Sequence, residues 1–131
     1  MNRAVLVVVT LGLYATVASS ALAESKNLTP SYATCMENSG GATFSMIDCM
    51  TVEYEQQDKR LNAAYKAATK QLEGKRVQEL KEAQRAWIKF RDLNCGFLAG
   101  GEGQMARIES NSCMLHMTAE RADELKGFTQ E

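Results

Sequence analysis

Histidine and proline occur once each in this sequence, and the shortage of both narrows what the chain can be. A Ser/His/Asp triad or a Cys/His pair would have to be built on His116, which stands beside Met114 and Met117. Acids are plentiful, but they spread over what read as solvated helix faces, and no carboxylate pair stands out. The phosphate-cradling pattern G-x-x-x-x-G-K-S/T is missing, as are G-x-G-x-x-G and the haem-attachment pattern C-x-x-C-H. No two cysteines lie two to four residues apart, the spacing that most structural zinc sites use. Met114, His116 and Met117 could offer soft ligands to Cu(I), but methionines at helical spacing are more often core filler. These absences point away from an enzyme and away from a bound cofactor. Period-two alternation is also missing, and Pro30 is the only proline, so the expected class is all-α.

The first residues read as a targeting segment. Asn2 and Arg3 form a short basic start, Ala4 to Ala18 is apolar without a charge, and Ala21-Leu22-Ala23 fits a signal-peptidase site. The run is short for a span of about 30 Å of hydrocarbon. Residues 1–23 are therefore expected to be a signal peptide, and residues 24–131 one exported helical domain, periplasmic or secreted. Glu24 stands where a lipoprotein signal places its cysteine, so no membrane anchor is expected after cleavage. The whole chain carries 15 Lys and Arg against 16 Asp and Glu. Arg3 leaves with the signal, so the mature charge is −2, which argues against nucleic acid as the partner.

Four helices are expected in the mature chain. Thr29-Pro30 reads as an N-cap with proline at the first helical position, opening a short helix to about Asn38. Ser39-Gly40-Gly41 ends it. A second helix over about Phe44 to Glu73 carries an apolar stripe of Ile47, Met50, Tyr54, Leu61, Tyr65, Ala68 and Leu72. Its stripe skips a turn near Gln57 and Asp58, while Glu53 and Arg60 read as outward. Gly74 marks a tight turn. A third helix, from about Lys75 to Leu98, is expected to turn Val77, Leu80, Ala83, Trp87, Ile88 and Phe90 inward. The Gly100-Gly101-Glu102-Gly103 run breaks it. A fourth, from about Ala106 to Lys126, lines Ile108, Leu115, Ala119, Ala122 and Leu125 along one side. One short and three longer helices should pack as a small antiparallel bundle.

Cys35, Cys49, Cys95 and Cys113 survive signal removal, and an even number in an exported chain reads as disulfides. Three connectivities are open to four cysteines. Cys35 and Cys49 flank one turn, Cys95 and Cys113 flank the glycine-rich loop, and each pair can meet across its own hairpin. A Cys49–Cys95 pair would be offset by about 7 Å along the helix axes, at the limit of disulfide reach before any interhelical distance is added. Hairpin geometry therefore favours Cys35–Cys49 and Cys95–Cys113.

Polar residues inside apolar stripes need partners. Gln84 and Arg91 interrupt the third helix's stripe, and Asp58 interrupts the second's. A turn at Gly74–Lys75 sets Asp58 opposite Arg91, Leu61 opposite Ile88, and Asn62 opposite the Trp87 indole. A buried Asp58–Arg91 ion pair is the expectation, serving helix register or, alternatively, forming part of a binding surface.

Several segments carry a resemblance. They are Cys49 with Glu53-Tyr54-x3-Asp58-x2-Leu61-Asn62-x2-Tyr65, then Leu80-x3-Gln84-Arg85-Ala86-Trp87-Ile88-x2-Arg91-Asp92-x2-Cys95, then Gly100-Gly101, then Cys113 with Thr118-x2-Arg121-x3-Leu125. Together they resemble the lysozyme inhibitor LprI-like family over almost all of the mature chain. The resemblance implies a helical, disulfide-bonded envelope protein with a protein partner, a lysozyme being the named candidate. An envelope structural or interaction module with another protein partner is the alternative. Asp58, Asn62, Gln84, Trp87, Arg91 and Asp92 are the expected scaffold or partner-binding residues. Oligomeric state cannot be read from the sequence.

Overall fold

The computed structural model describes residues 27–129. The expected signal peptide, residues 1–23, lies outside the described residues. Four helices follow one another: α1 (Pro30–Asn38), α2 (Thr43–Gln71), α3 (Lys75–Ala99) and α4 (Gly103–Gly127). Among the described residues there is no strand, and no helix is long and apolar enough to cross a membrane.

Local chemistry sets the boundaries. The Thr29 hydroxyl accepts from the Tyr32 amide at 3.2 Å, capping α1 ahead of Pro30. Gly74 takes φ +55°, the left-handed region that the α2–α3 turn requires and that glycine alone enters without strain. A side chain at Gly101 would meet the Ala106 Cβ at 3.1 Å, so the α3–α4 loop closes tightly over the start of α4. α4 begins three residues earlier than its apolar pattern suggests, with Gly103 at φ +75° as its first residue.

α4 is the centre of the bundle. Leu115, Ala119, Ala122 and Leu125 are fully buried, and the alanines let neighbouring helices come close. α4 packs against both α2 and α3, whereas α2 and α3 barely touch. α2 and α4 run parallel at a steady offset. Thr43 donates to Gln104 at 2.6 Å near one end, and Arg60 reaches Asp123 and the Ala119 carbonyl further along. α3 runs antiparallel to α4, with Cys95 joined to Cys113 near one end and Gln84 accepting from Arg121 near the other. The core cluster is Leu61, Ala68, Leu80, Ala122 and Leu125, with Tyr65, Leu72 and Trp87 packed around it.

Both expected disulfides are present, Cys35–Cys49 with a Cα separation of 5.8 Å and Cys95–Cys113 with 5.5 Å. Each bridges its own helical hairpin. Closing loops of 14 and 18 residues should stabilise the fold by about 3 kcal/mol each through the unfolded chain.

Two expected faces are rotated in the structure. On α2, Glu53 is 1% exposed, Gln57 is buried, and Arg60 points across to α4. The Glu53 carboxylate accepts from the Thr29 amide at 2.9 Å, the Thr29 hydroxyl at 2.6 Å and Gln57 at 2.7 Å. It thereby ties α1 to α2, and three donors offset its desolvation. On α3 the buried stripe is Leu80, Gln84, Arg91 and Cys95, with Trp87 partly covered, while Ala83, Ile88 and Phe90 face solvent. Polar residues occupy the inner stripe because α4 supplies their partners.

Burial, and after it the Glu53 charge, push the Tyr32 phenol above its ordinary value. A raised folded-state value means that its stabilisation is complete below about pH 10 and is lost as pH rises through the folded value. Glu53→Gln should lower the Tyr32 titration midpoint in ultraviolet difference spectra. Glu53→Ala, which strands the Thr29 and Gln57 donors, should cost about 2–3 kcal/mol in denaturant unfolding.

Candidate functional site

The splay of α2 from α3 leaves an open cleft of about 250 Å³ between them. Five of the six expected residues line it: Asp58 and Asn62 from α2, and Gln84, Trp87 and Arg91 from α3. Asp92 lies beside the cleft, exposed, with its carboxylate 2.8 Å from the Arg91 guanidinium. Register reasoning thus places the residues opposite one another, but across a gap.

The expected Asp58–Arg91 ion pair is absent. Arg91 donates to Asp92 at 2.8 and 3.0 Å and to the Thr118 hydroxyl of α4 at 3.2 Å. Asp58 accepts from Asn62, one turn along its own helix, at 2.9 Å. Asn62 therefore serves Asp58 and not the Trp87 indole. The physical reason is that the open cleft holds the two walls apart, while Thr118 of α4 and the adjacent Asp92 offer the Arg91 guanidinium nearer acceptors.

Trp87 is flanked by two guanidiniums, Arg91 at 5.1 Å and Arg121 at 5.8 Å from the ring centroid. Both lie within cation–π range. Arg121, 8% exposed, also donates to Gln84 at 3.0 Å and pairs with Glu124 at 2.6 Å. Gln84, Trp87, Arg91, Thr118 and Arg121 form a satisfied polar layer that fixes α3 on α4. Thr118 and Arg121, which the sequence offers only as motif residues, complete this layer from α4. Their spacing with Leu115, Ala122 and Leu125 along α4's inner side is the signal that could have found them.

The α3 wall of the cleft adds Lys81 and Arg85 to Arg91, while Asp58 is the only carboxylate in the lining. The arrangement offers hydrogen bonds and positive charge to a docked group, and it provides no nucleophile beside a base. Among the described residues, no three His, Cys, Asp or Glu side chains cluster as metal ligands.

The family model described as lysozyme inhibitor LprI matches residues 35–125. This chain belongs to the LprI family. The matched span opens at Cys35 and closes at Leu125, so it holds both disulfides and the whole polar layer on α4. An uncharacterized protein of Rhizobium meliloti (strain 1021) is 34% identical over 94 residues, which is 60% of this chain and 67% of that protein. No solved structure matches. Of the motif residues quoted from the sequence, Gln84, Arg91, Cys95, Cys113, Thr118 and Arg121 join α3 to α4.

A double-mutant cycle on stability should separate the two possible partners of Arg91. Arg91→Met with Thr118→Val should couple by about 0.5–1.5 kcal/mol, the range of a net hydrogen bond. Arg91→Met with Asp58→Ala should couple by less. Fluorescence from Trp87, the only tryptophan, should change on Arg91→Met or Arg121→Met, because each removes a cation from the indole face.

Proposed function

We propose that this protein is an exported, non-enzymatic binding protein that inhibits a lysozyme-type muramidase. The observation that carries this reading is the LprI match across residues 35–125, which takes in the helical unit from Cys35 in α1 to Leu125 in α4. Two disulfides suit an oxidising compartment, periplasmic or extracellular, and the expected signal peptide would deliver the chain there. Inhibition needs no chemistry of the inhibitor's own. Lysozyme works through two carboxylates flanking a glycan cleft, and a rigid body that covers or enters that cleft excludes the glycan. A disulfide-bonded bundle loses little conformational entropy on docking, which favours this role.

Purified oxidised protein should slow lysis of bacterial cell walls by a lysozyme in a saturable, near-stoichiometric manner. The two proteins should also co-elute on gel filtration. Unchanged lysis at a large molar excess, with no co-elution, would refute the proposal.

A further inference from the structure

α3 carries two stripes, and among the described residues only one of them is covered. Gln84, Arg91 and Cys95 face α4, whereas Phe90, Leu93 and Phe97 are 59%, 64% and 80% exposed. On a helix of 3.6 residues per turn these three fall in line, on the flank turned away from the α2–α3 cleft. Ala83 and Ala86, both exposed, extend the line toward the N-terminus of α3. Isolated exposed apolar residues are ordinary, but an aligned set with two phenylalanines marks an interaction site.

Their location is not random. Among the described residues, eight large hydrophobics stand exposed; seven belong to one end of the bundle and Phe128 to the other. That end consists of α1, the first half of α2, the second half of α3 and the first half of α4. It includes both disulfides and the glycine-rich loop. Phe44 and Met105 lie there too, brought near each other by the Thr43–Gln104 hydrogen bond and by Arg107 set 5.4 Å from the Phe44 ring.

Charge separates along the same axis. Dividing each long helix at its midpoint, residues 27–57 and 88–114 hold seven carboxylates and three cations, a net −4. Residues 58–87 and 115–129 hold ten cations and seven carboxylates, a net +3. No lysine or arginine occurs anywhere in residues 27–57. The apolar end is therefore also the acidic end.

We infer that this disulfide-bearing end is the docking surface for a basic protein, with Phe90, Leu93 and Phe97 on α3 as apolar anchors and with the negative charge supplied by α1 and the first half of α2, since residues 88–114 hold three charges of each sign. The inference rests on the function proposed above, and a basic lysozyme is the partner it assigns. Charge complementarity selects that class of occupant. Like charge at close range opposes a second copy docked stripe to stripe, because it would bring two net −4 ends together. It also turns away an anionic lipid surface. A basic protein gains from both the field and the anchors.

Binding of the oxidised, exported protein to a purified basic lysozyme by titration calorimetry, at low and at physiological salt, tests this. The wild-type protein should bind, and more weakly as salt rises. Phe90→Ser with Phe97→Ser should weaken binding at least about tenfold, with helicity and melting temperature unchanged, since both side chains are exposed. Asp48→Lys with Glu109→Lys, both exposed at the acidic end, should weaken binding and flatten its salt dependence. Lys66→Glu with Lys70→Glu, at the other end, should not weaken it. Wild-type binding that every variant retains would overturn the docking surface and leave the proposed function standing. Absence of wild-type binding would remove the proposed function and the assigned partner together. A wild-type dimer in sedimentation that Phe90→Ser with Phe97→Ser makes monomeric would identify a second copy as the occupant and overturn the inference.

Discussion

α4 holds this molecule together because α2 and α3 do not hold each other. The buried side of α4 meets both neighbours through two alanines and two leucines that exclude solvent completely. Alanine at those positions lets the axes of neighbouring helices come close to that of α4. An open cleft separates α2 from α3. Charged and amide side chains that would be stranded in a symmetric bundle instead find partners on α4: Arg91 meets Thr118, Gln84 meets Arg121, and Arg60 meets Asp123. Leu125 packs in one cluster with Leu61 and Ala68 of α2 and Leu80 of α3, so it serves both interfaces at once.

Much of this architecture was legible in the residues. Thr29-Pro30 and the glycine runs marked the ends of elements, and apolar spacing marked four helices. Position across two hairpins singled out the disulfide pairing. The all-α class and the bridging of each hairpin follow from local chemistry, which a single sequence displays well. Which side of a helix turns inward was harder to read. Glu53, Gln57 and Arg60 look like solvent residues because each is polar, and only the three-dimensional neighbourhood shows the Asn27, Thr29 and α4 groups around them. Phe90 looks like core because it is apolar, yet among the described residues it stands 59% exposed.

The candidate site follows the same pattern. Register reasoning put Asp58, Asn62, Trp87 and Arg91 on facing walls, and all four line one cleft. It failed on the contact itself, because a pairwise argument between two helices ignores a third that competes for the same guanidinium. A hydrogen bond to Thr118 and a carboxylate from the neighbouring residue Asp92 satisfy Arg91 without any reach across the gap.

The pairing of cysteines that are neighbours in sequence has a consequence for how the protein matures. In a chain delivered N-terminus first, Cys35 meets Cys49 before Cys95 has arrived, and Cys95 then finds Cys113 as the only thiol left. The order of appearance selects the native connectivity out of three. Oxidation can thus keep pace with delivery, one hairpin at a time, and the protein has little need of disulfide shuffling to reach its final covalent form.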